Sequence, residues 1–247
     1  LKNVTHSYDN VRNAVENVSL TVHSGETAAF VGPSGGGKST LAALISRFFD
    51  PTSGTIYLGG TDIKDIPKER LMQEISFVFQ NSRLIKGTIL ENVRLGKPSA
   101  TREEVLSALK AAQCEDIIQK LPQGMDTEIG TNGVFLSGGE QQRITIARVI
   151  LKNAPVVILD EATAFADPDN EVKVQSALTR LSKGKTVIMI AHRLSTVVHA
   201  DRIFVVNNGK IEESGTHDEL IAKGGLYKDM WNEYQKSFNW KVGVCHD

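Results

Sequence analysis

The sequence has little cysteine and no long apolar run, and these two absences exclude several classes of protein. Its 2 cysteines, Cys114 and Cys245, lie far apart and form no CxxC pair, so neither a disulfide framework nor a zinc site is expected. Apolar runs end after about five residues, whereas a helix that crosses a bilayer needs about 20. The N-terminus shows no signal-peptide pattern. We expect reduced cysteines and no membrane-spanning segment in this chain.

An excess of basic charge is also lacking. The chain carries 28 Lys and Arg against 29 Asp and Glu, a formal net charge of −1. Domains that bind nucleic acid through bulk electrostatics are usually basic, so no nucleic-acid partner is expected. Leu1–Tyr8 mix apolar and polar residues from the first position, as in a strand that is entered midway. This pattern predicts that the chain is cut from a longer protein.

Short apolar strands alternate with helical patterns along the chain. Thr27–Val31, Val156–Leu159 and Thr186–Ala191 are strands without polar alternation, which is typical of a mostly parallel sheet covered on both faces. Ile75–Gln80 is a further predicted strand. Capping patterns predict helices that begin after Thr101, Ser137 and Thr216. Other predicted helices cover 38–48, 168–181 and 226–240. The sequence therefore predicts an α/β fold with a helical block inserted at 82–152.

A glycine-rich loop lies between the first apolar strand and a predicted helix. Its residues fit the G-x-x-x-x-G-K-[ST] pattern in the required context, and they are Gly32, Pro33, Ser34, Gly35, Gly36, Gly37, Lys38 and Ser39. The glycines let consecutive backbone N–H groups converge on phosphate oxygens, and the helix N-terminus adds its positive dipole end. Lys38 supplies a charge to the terminal phosphates, and the Ser39 hydroxyl is a ligand for Mg²⁺. The loop predicts a nucleotide triphosphate site.

Two carboxylates end the strand Val156–Leu159. Open α/β sheets place ligands at the carboxyl ends of their strands, where Asp160 and Glu161 follow. Asp160 is a candidate ligand of Mg²⁺, through a water. Glu161, one residue later, is the candidate base that polarises the attacking water.

A second anion site is predicted where the helix after Ser137 begins. Leu136-Ser137-Gly138-Gly139-Glu140-Gln141-Gln142-Arg143 contains an N-cap serine followed by two glycines. A serine hydroxyl and glycine amides at a helix N-terminus bind anions. Taken alone, the segment is also an ordinary helix start.

The order of these three motifs resembles that of an ATP-binding-cassette (ABC) nucleotide-binding domain over essentially the whole chain. The resemblance implies a P-loop NTPase (RecA-like) core with an antiparallel β subdomain and an inserted α-helical subdomain. In this sequence the core corresponds to 1–81 and 153–247, and the helical signature subdomain to 82–152. The resemblance also implies an ATPase in which two domains close head to tail on two Mg-ATP. Ser137, Gly138 and Gly139 of one copy would then contact the ATP held by the other.

The resemblance also assigns roles to single residues. Tyr8 matches the aromatic residue that stacks on adenine, and Ala14 the small residue beside it. Thr40 belongs to the phosphate-binding segment. Gln80 matches the glutamine that contacts Mg²⁺ and the attacking water, and His192 matches the histidine that contacts the γ-phosphate.

Further segments are similar to the exporter branch of the family. They are Gly87-Thr88-Ile89-Leu90-Glu91-Asn92, Asp160-Glu161-Ala162-Thr163-Ala164 and His192-Arg193-Leu194-Ser195-Thr196. The branch implies a membrane domain fused N-terminally, a second nucleotide-binding domain as partner, and a place at the cytoplasmic face of a membrane.

Three positions depart from the exporter pattern. Thr131 stands where glutamate is usual, Glu140 where glutamine is usual, and Phe165 where alanine is usual. The Phe165 stretch resembles half-transporters associated with siderophores.

Two alternatives have a different function. A non-transport ABC ATPase of repair, chromosome maintenance or translation would carry a long coiled coil or two cassettes, and this sequence has neither. A phosphotransferase with the same phosphate loop would need an acceptor site and leaves the Ser137 motif unexplained.

Overall fold

The structure is a computed structural model that describes residues 1–9, 11–79, 83–130, 134–160, 168–191 and 193–243, with side chains for all of these except 168 and 237–243. The chain divides into two compact units, one formed by 1–71 and 186–247 and the other by 72–185. The predicted division at 82 and 152 stays a prediction.

In its described residues, the first unit combines parallel and antiparallel strands with four α-helices. Its strands are β1 Lys2–Ser7, β2 Asn13–Val18, β3 Thr27–Val31, β4 Ser53–Thr55, β5 Tyr57–Leu58, β6 Thr61–Asp62, β11 Thr186–Ile190, β12 Arg202–Asn207 and β13 Lys210–Gly215. Its helices are α1 Lys38–Ile45, α8 His217–Lys223 and α9 Leu226–Gly243, together with the start of α2, Lys68–Glu74.

The second unit is mainly helical. Its strands are β7 Ile75–Val78, β8 Gly87–Thr88, β9 Glu128–Ile129 and β10 Val156–Asp160. Its helices are α3 Ile89–Arg94, α4 Arg102–Ala111, α5 Glu115–Lys120, α6 Gly138–Lys152 and α7 Pro168–Ser182.

β3 is the centre of the parallel sheet of the first unit. It pairs in parallel with β11 on one side and β12 on the other, and four of its five residues are buried. β12 then turns back into the antiparallel β13 through Asn208 and Gly209, whose φ angles of 47° and 77° fit the two-residue hairpin turn that these residue types favour. In the second unit β10 pairs in parallel with β7, and both strands are mainly apolar, as buried parallel strands usually are.

β1 lies in a separate antiparallel sheet, between β2 and β4. The predicted α/β class is thus confirmed, with antiparallel strands beside a parallel sheet.

The last helix packs on its own unit. Leu226, Met230, Trp231 and Tyr234 lie against a buried cluster that includes Val205 and Tyr227. The buried carboxylate of Glu213 accepts the N–H groups of Leu226 and Tyr227, each at 3.1 Å, and so stabilises the start of α9. Among the described residues, no helix has the length and apolar content that a bilayer crossing requires.

Candidate nucleotide-binding site

The loop that joins β3 to α1 follows a path that requires glycine. Gly32 and Gly37 have φ angles of 141° and 106°, which side chains disfavour. A Cβ at Gly32 would lie 2.0 Å from the carbonyl oxygen of Val206, and one at Gly37 would lie 2.5 Å from that of Ala14. The backbone of the loop therefore packs directly on the main chain of β12 and β2.

The N-terminus of α1 carries no capping side chain. Gly37 is its N-cap and makes no side-chain hydrogen bond, and the first turn contains no acidic residue. The first N–H groups of a helix have no acceptor within the helix, and here no carboxylate of the first turn competes for them. This arrangement is the one that phosphate groups bind.

Lys38 folds back over the loop and is buried. Its Nζ donates to the carbonyl oxygens of Gly32 at 2.9 Å and Pro33 at 2.8 Å. These two carbonyl oxygens hold the ammonium against the phosphate loop. The next residue, Ser39, is exposed and offers a hydroxyl oxygen of the type that Mg²⁺ accepts.

An aromatic cluster stands beside this loop. Tyr8 is 59% exposed, and its ring meets those of His6 and Phe49 edge-on, with centroids 4.9 Å and 5.4 Å apart. Its hydroxyl donates to Thr40 Oγ1 at 3.2 Å. The hydrogen bond ties the ring to the first turn of α1 and leaves much of its surface open. Tyr8 and the main chain of Ala14 thus lie beside the phosphate loop and α1, and their contacts with a nucleotide stay predictions.

Sequence reasoning missed His6 and Phe49, the two rings that support Tyr8. His6 was detectable as an aromatic residue two positions before Tyr8, on the same face of an extended chain. Phe49 was not, because its contact joins segments about 40 residues apart.

In the second unit, the N-terminus of α6 is capped by a reciprocal pair of hydrogen bonds. Ser137 Oγ accepts from the N–H of Glu140, and the Glu140 carboxylate accepts from the N–H of Ser137 at 2.8 Å. Ser137 and Gly138 are exposed and Gly139 is buried. A Cβ at Gly139 would lie 2.9 Å from Cβ of Asn170, so only glycine lets α7 approach this helix start so closely.

Buried Arg143 connects α6 with its neighbours. It donates to the Asp116 carboxylate at 2.7 Å and to Asn170 Oδ1 at 3.0 Å, and Lys173 pairs with Asp116 at 2.7 Å. Burial raises the pKa of Asp116, but the hydrogen bonds from Arg143 and Lys173 outweigh it and lower that pKa to about 2. The ionised network holds α5 and α7 against the helix that begins at Ser137.

A groove of about 390 Å³ opens on the second unit next to this motif. Its lining is mostly apolar and comprises Leu84, Ile85, Ile129, Gly130, Val134, Phe135, Leu136 and Gln141. Phe135 is 90% exposed, so the groove presents an aromatic side chain to solvent.

The segment on one side of the groove is anchored by Asn92 of α3. The amide of Asn92 donates to the carbonyl oxygens of Ile85 and Thr88 and accepts the N–H of Ile85, at 2.9 to 3.0 Å. Arg148 of α6 donates to the Asn92 carbonyl oxygen at 2.8 Å. The sequence places Asn92 in an exporter-type segment but predicts neither its contacts nor those of Arg148, since a buried amide network leaves no local pattern.

Three predicted site residues lie outside the described residues: Gln80, Glu161 and His192. Thr131 and Phe165, two of the positions that depart from the exporter pattern, also lie outside them. Asp160 is described as half-buried at the end of β10. Among the described residues, no three His, Cys, Asp or Glu side chains form a metal-binding group. Mg²⁺ that is held mainly by substrate phosphates needs only one or two protein oxygens, and the Ser39 hydroxyl and the Asp160 carboxylate are oxygens of this kind.

A sequence model of the family described as ABC transporter matches residues 15–164. The chain belongs to the ABC transporter family. This ABC domain is therefore an ATP-binding domain with ATPase activity, and the predictions of family and fold are confirmed.

Relatives of the domain are much longer than the chain. A Staphylococcus aureus protein (strain NCTC 8325 / PS 47) named as a multidrug export ATP-binding/permease protein is 51% identical over 224 residues, 91% of this chain and 39% of that protein. Its counterpart in the bovine strain RF122 / ET3-1 is 50% identical. A solved structure of a bacterial Atm1-family ABC exporter with ATP bound superposes with a TM-score of 0.88 at 42% identity, covering 94% of this chain and 41% of that one. The ABC domain spans about two fifths of the length of these relatives.

Proposed function

We propose that this ABC domain powers export across a membrane as one of two copies that close head to tail on two Mg-ATP. Each ATP is held by the phosphate loop of one copy and by Ser137, Gly138 and Gly139 of the other. The relatives named as exporters and the exporter-type motifs of the sequence support this proposal.

Binding of ATP uses the first unit. The adenine stacks on the open face of Tyr8, with Ala14 beside it. The amides of Gly32 to Gly37 and the N-terminus of α1 hold the phosphates, and Lys38 leaves its loop carbonyls to neutralise them. Stacking on an aromatic ring does not depend on base identity, so little discrimination between ATP and GTP is expected.

Mg²⁺ fits the oxygen donors of this chain. Ser39 would coordinate it directly, Asp160 through a water, and Gln80 would contact it from the segment after β7. When bound, the ion neutralises phosphate charge and orients the terminal phosphate.

Hydrolysis depends on three residues that follow strands. Glu161 accepts a proton from the attacking water, Gln80 positions that water, and His192 donates to the γ-phosphate. The two adjacent carboxylates have separate tasks, because Asp160 neutralises charge in the bound state whereas Glu161 acts when water attacks.

Coupling to transport uses the groove lined by Ile85 and Phe135. We assign it to a cytoplasmic segment of a membrane domain fused N-terminally, because the relatives are named ATP-binding/permease proteins and this chain matches only their ATP-binding part. The domain would then work at the cytoplasmic face of the membrane. The membrane domain selects the substrate; the names of the relatives favour drug-like compounds, and the siderophore link stays a prediction.

The proposal that two copies share each ATP rests mainly on the N-terminus of α6. Ser137 is exposed, the two following residues have no side chains, and the amides of Gly138 and Gly139 have no acceptor within the helix. A self-contained nucleotide site would not need this second anion-binding terminus.

Replacing Glu161 tests the proposal by separating binding from hydrolysis. Glu161→Gln should lower the turnover rate by about 10²–10⁴-fold, as expected for a lost general base. The variant should form a dimer in saturating Mg-ATP, measured by light scattering, because hydrolysis normally separates the copies. Ser137→Arg added to it should abolish the dimer, whereas Thr101→Arg, the same change at the N-cap of α4, should not.

Two results would contradict the shared site. One is a Glu161→Gln domain that stays monomeric in saturating Mg-ATP or hydrolyses ATP normally. The other is a wild-type turnover that is independent of protein concentration and survives Ser137→Arg, which would favour a phosphotransferase.

A further inference from the structure

Glu140 places a carboxylate in the first turn of the helix whose N-terminus is proposed to bind a phosphate. We propose that Lys120 neutralises Glu140 and thereby allows this terminus to accept the ATP of the second copy. The proposal rests on the shared site described above and makes Lys120 a positioning residue that acts through Glu140.

The contacts of Glu140 show how its charge is held. One carboxylate oxygen accepts the N–H of Ser137 at 2.8 Å, and the other is paired with Lys120 Nζ. The Glu140 side chain is 10% exposed and that of Lys120 is 55% exposed. The carboxylate is thus fixed against the helix, and its one cationic partner in these contacts reaches it from the solvent side.

Glu140 remains charged in this position. Burial raises the pKa of Glu140, but the hydrogen bonds from Lys120 and Ser137 together lower it below its ordinary value. An ionised carboxylate near a helix N-terminus is attracted by the dipole and repels a second anion brought to the same place. The Lys120 ammonium cancels this repulsion.

The hydroxyl group of Ser137 can still donate one hydrogen bond to a phosphate. Its hydroxyl oxygen accepts the N–H of Glu140 at 3.4 Å, which leaves the hydroxyl hydrogen to donate elsewhere. The amides of Gly138 and Gly139 are the other donors. The cap formed by Glu140 therefore occupies the amide of Ser137 and leaves three donors for an anion.

The same arrangement occurs in α4, where no ligand is proposed. Thr101 and Glu104 form the reciprocal cap, and Lys97 pairs with Glu104 at 2.5 Å. Lys97→Ala therefore removes the same kind of ion pair from the same kind of cap, and it is the matched control for Lys120→Ala.

The experiment measures the ATP-dependent dimer in a Glu161→Gln background by analytical ultracentrifugation. Lys120→Ala should weaken the dimer about tenfold, which corresponds to 1.4 kcal/mol, and Lys97→Ala should leave it within about twofold. Lys120→Ala combined with Glu140→Gln should restore the dimer, because a neutral amide needs no counter-charge. The loss in Lys120→Ala should also shrink as salt rises, since screening weakens repulsion.

Structural damage has a different signature. A Lys120→Ala domain that is merely less stable would lose ATP affinity as a monomer or unfold at lower temperature, and Glu140→Gln would not rescue it. That result, or an unchanged dimer in Lys120→Ala, overturns the role of Lys120. If the Glu161→Gln parent itself forms no dimer, the shared site fails and the proposal fails with it.

Discussion

The N-termini of α1 and α4 differ in what occupies their first amides. α4 begins with a full capping box between Thr101 and Glu104 and carries two acidic residues in its first turn. α1 begins after Gly37, with no capping side chain and no acidic residue. In α4 the capping side chains accept two of the N–H groups at the helix start, whereas in α1 no capping side chain accepts any of them, so the first amides of α1 are available to a phosphate.

The N-terminus of α6 combines both arrangements. It has the capping box of α4 between Ser137 and Glu140, but glycines fill the two positions between them, where α4 has Arg102 and Glu103. The glycines leave the helix start accessible, and Lys120 pairs with the capping carboxylate. The comparison therefore predicts that charge in the first turn decides which termini bind phosphate.

The largest effect is expected when the cation at the uncapped N-terminus of α1 is removed. Lys38→Ala removes the ammonium held at the loop carbonyls, and it should lower ATP hydrolysis by at least about 10²-fold, the scale for losing a preorganised charge-stabilising group. Phosphate release in Mg-ATP measures it, with Lys97→Ala as the surface lysine control. Near-normal turnover in Lys38→Ala would remove the phosphate loop from the reaction.

Moving a carboxylate into α1 tests the comparison directly. Thr40→Glu puts an acidic residue at the third helical position, where α4 has Glu104, and should weaken ATP binding by roughly 10–100-fold through repulsion. Helix stability should stay the same or rise, because a negative charge at an N-terminus contributes about 0.3–1 kcal/mol. Fluorescent-nucleotide titration and thermal unfolding measure the two effects.

Thr40→Gln is the neutral control, since it also loses the hydrogen bond from Tyr8. Equal ATP affinity in the Glu and Gln variants would show that charge at this terminus does not matter.

The smallest expected effect distinguishes the capping box of α4 from that of α6. Thr101→Ala should cost about 1 kcal/mol of unfolding free energy, as lost N-caps do, and leave ATP turnover unchanged. Ser137→Ala should cost a similar amount and also lower turnover, because its hydroxyl is proposed to contact ATP. Chemical denaturation and phosphate release are compared on the same samples. A Thr101→Ala domain as slow as Ser137→Ala would refute the distinction.

The helix starts were predictable because a cap is a local pattern. Thr101, Ser137 and Thr216 were predicted as caps from residues within one turn, and helices begin directly after each of them. The end of α1 was not predictable from such a local pattern. The sequence predicts a helix to Phe48, but it ends at Ile45, and Arg47 turns to a φ of 55°.

The side chain of Arg47, just after that early end, contacts a distant part of the chain. Arg47 donates to the carbonyl oxygens of Ile63 and Ile66 at 2.7 and 2.8 Å, and contacts over this separation are not encoded in neighbouring residues. The same distinction decides which parts of the candidate site could be predicted. The phosphate loop is recognisable from adjacent residues, whereas the pairing of Lys120 with Glu140 joins positions 20 apart.

The close packing of the phosphate loop on β12 limits which sequences can encode this domain. The motif allows any residue at position 36, yet a Cβ there would lie 2.7 Å from the carbonyl oxygen of Val206 and 3.0 Å from that of Pro33. Position 35 has open space, and its φ of 75° is one that asparagine also adopts. Two neighbouring positions that the motif treats alike therefore differ in mutational tolerance, and a family-wide pattern underestimates the constraint on Gly36 in this protein.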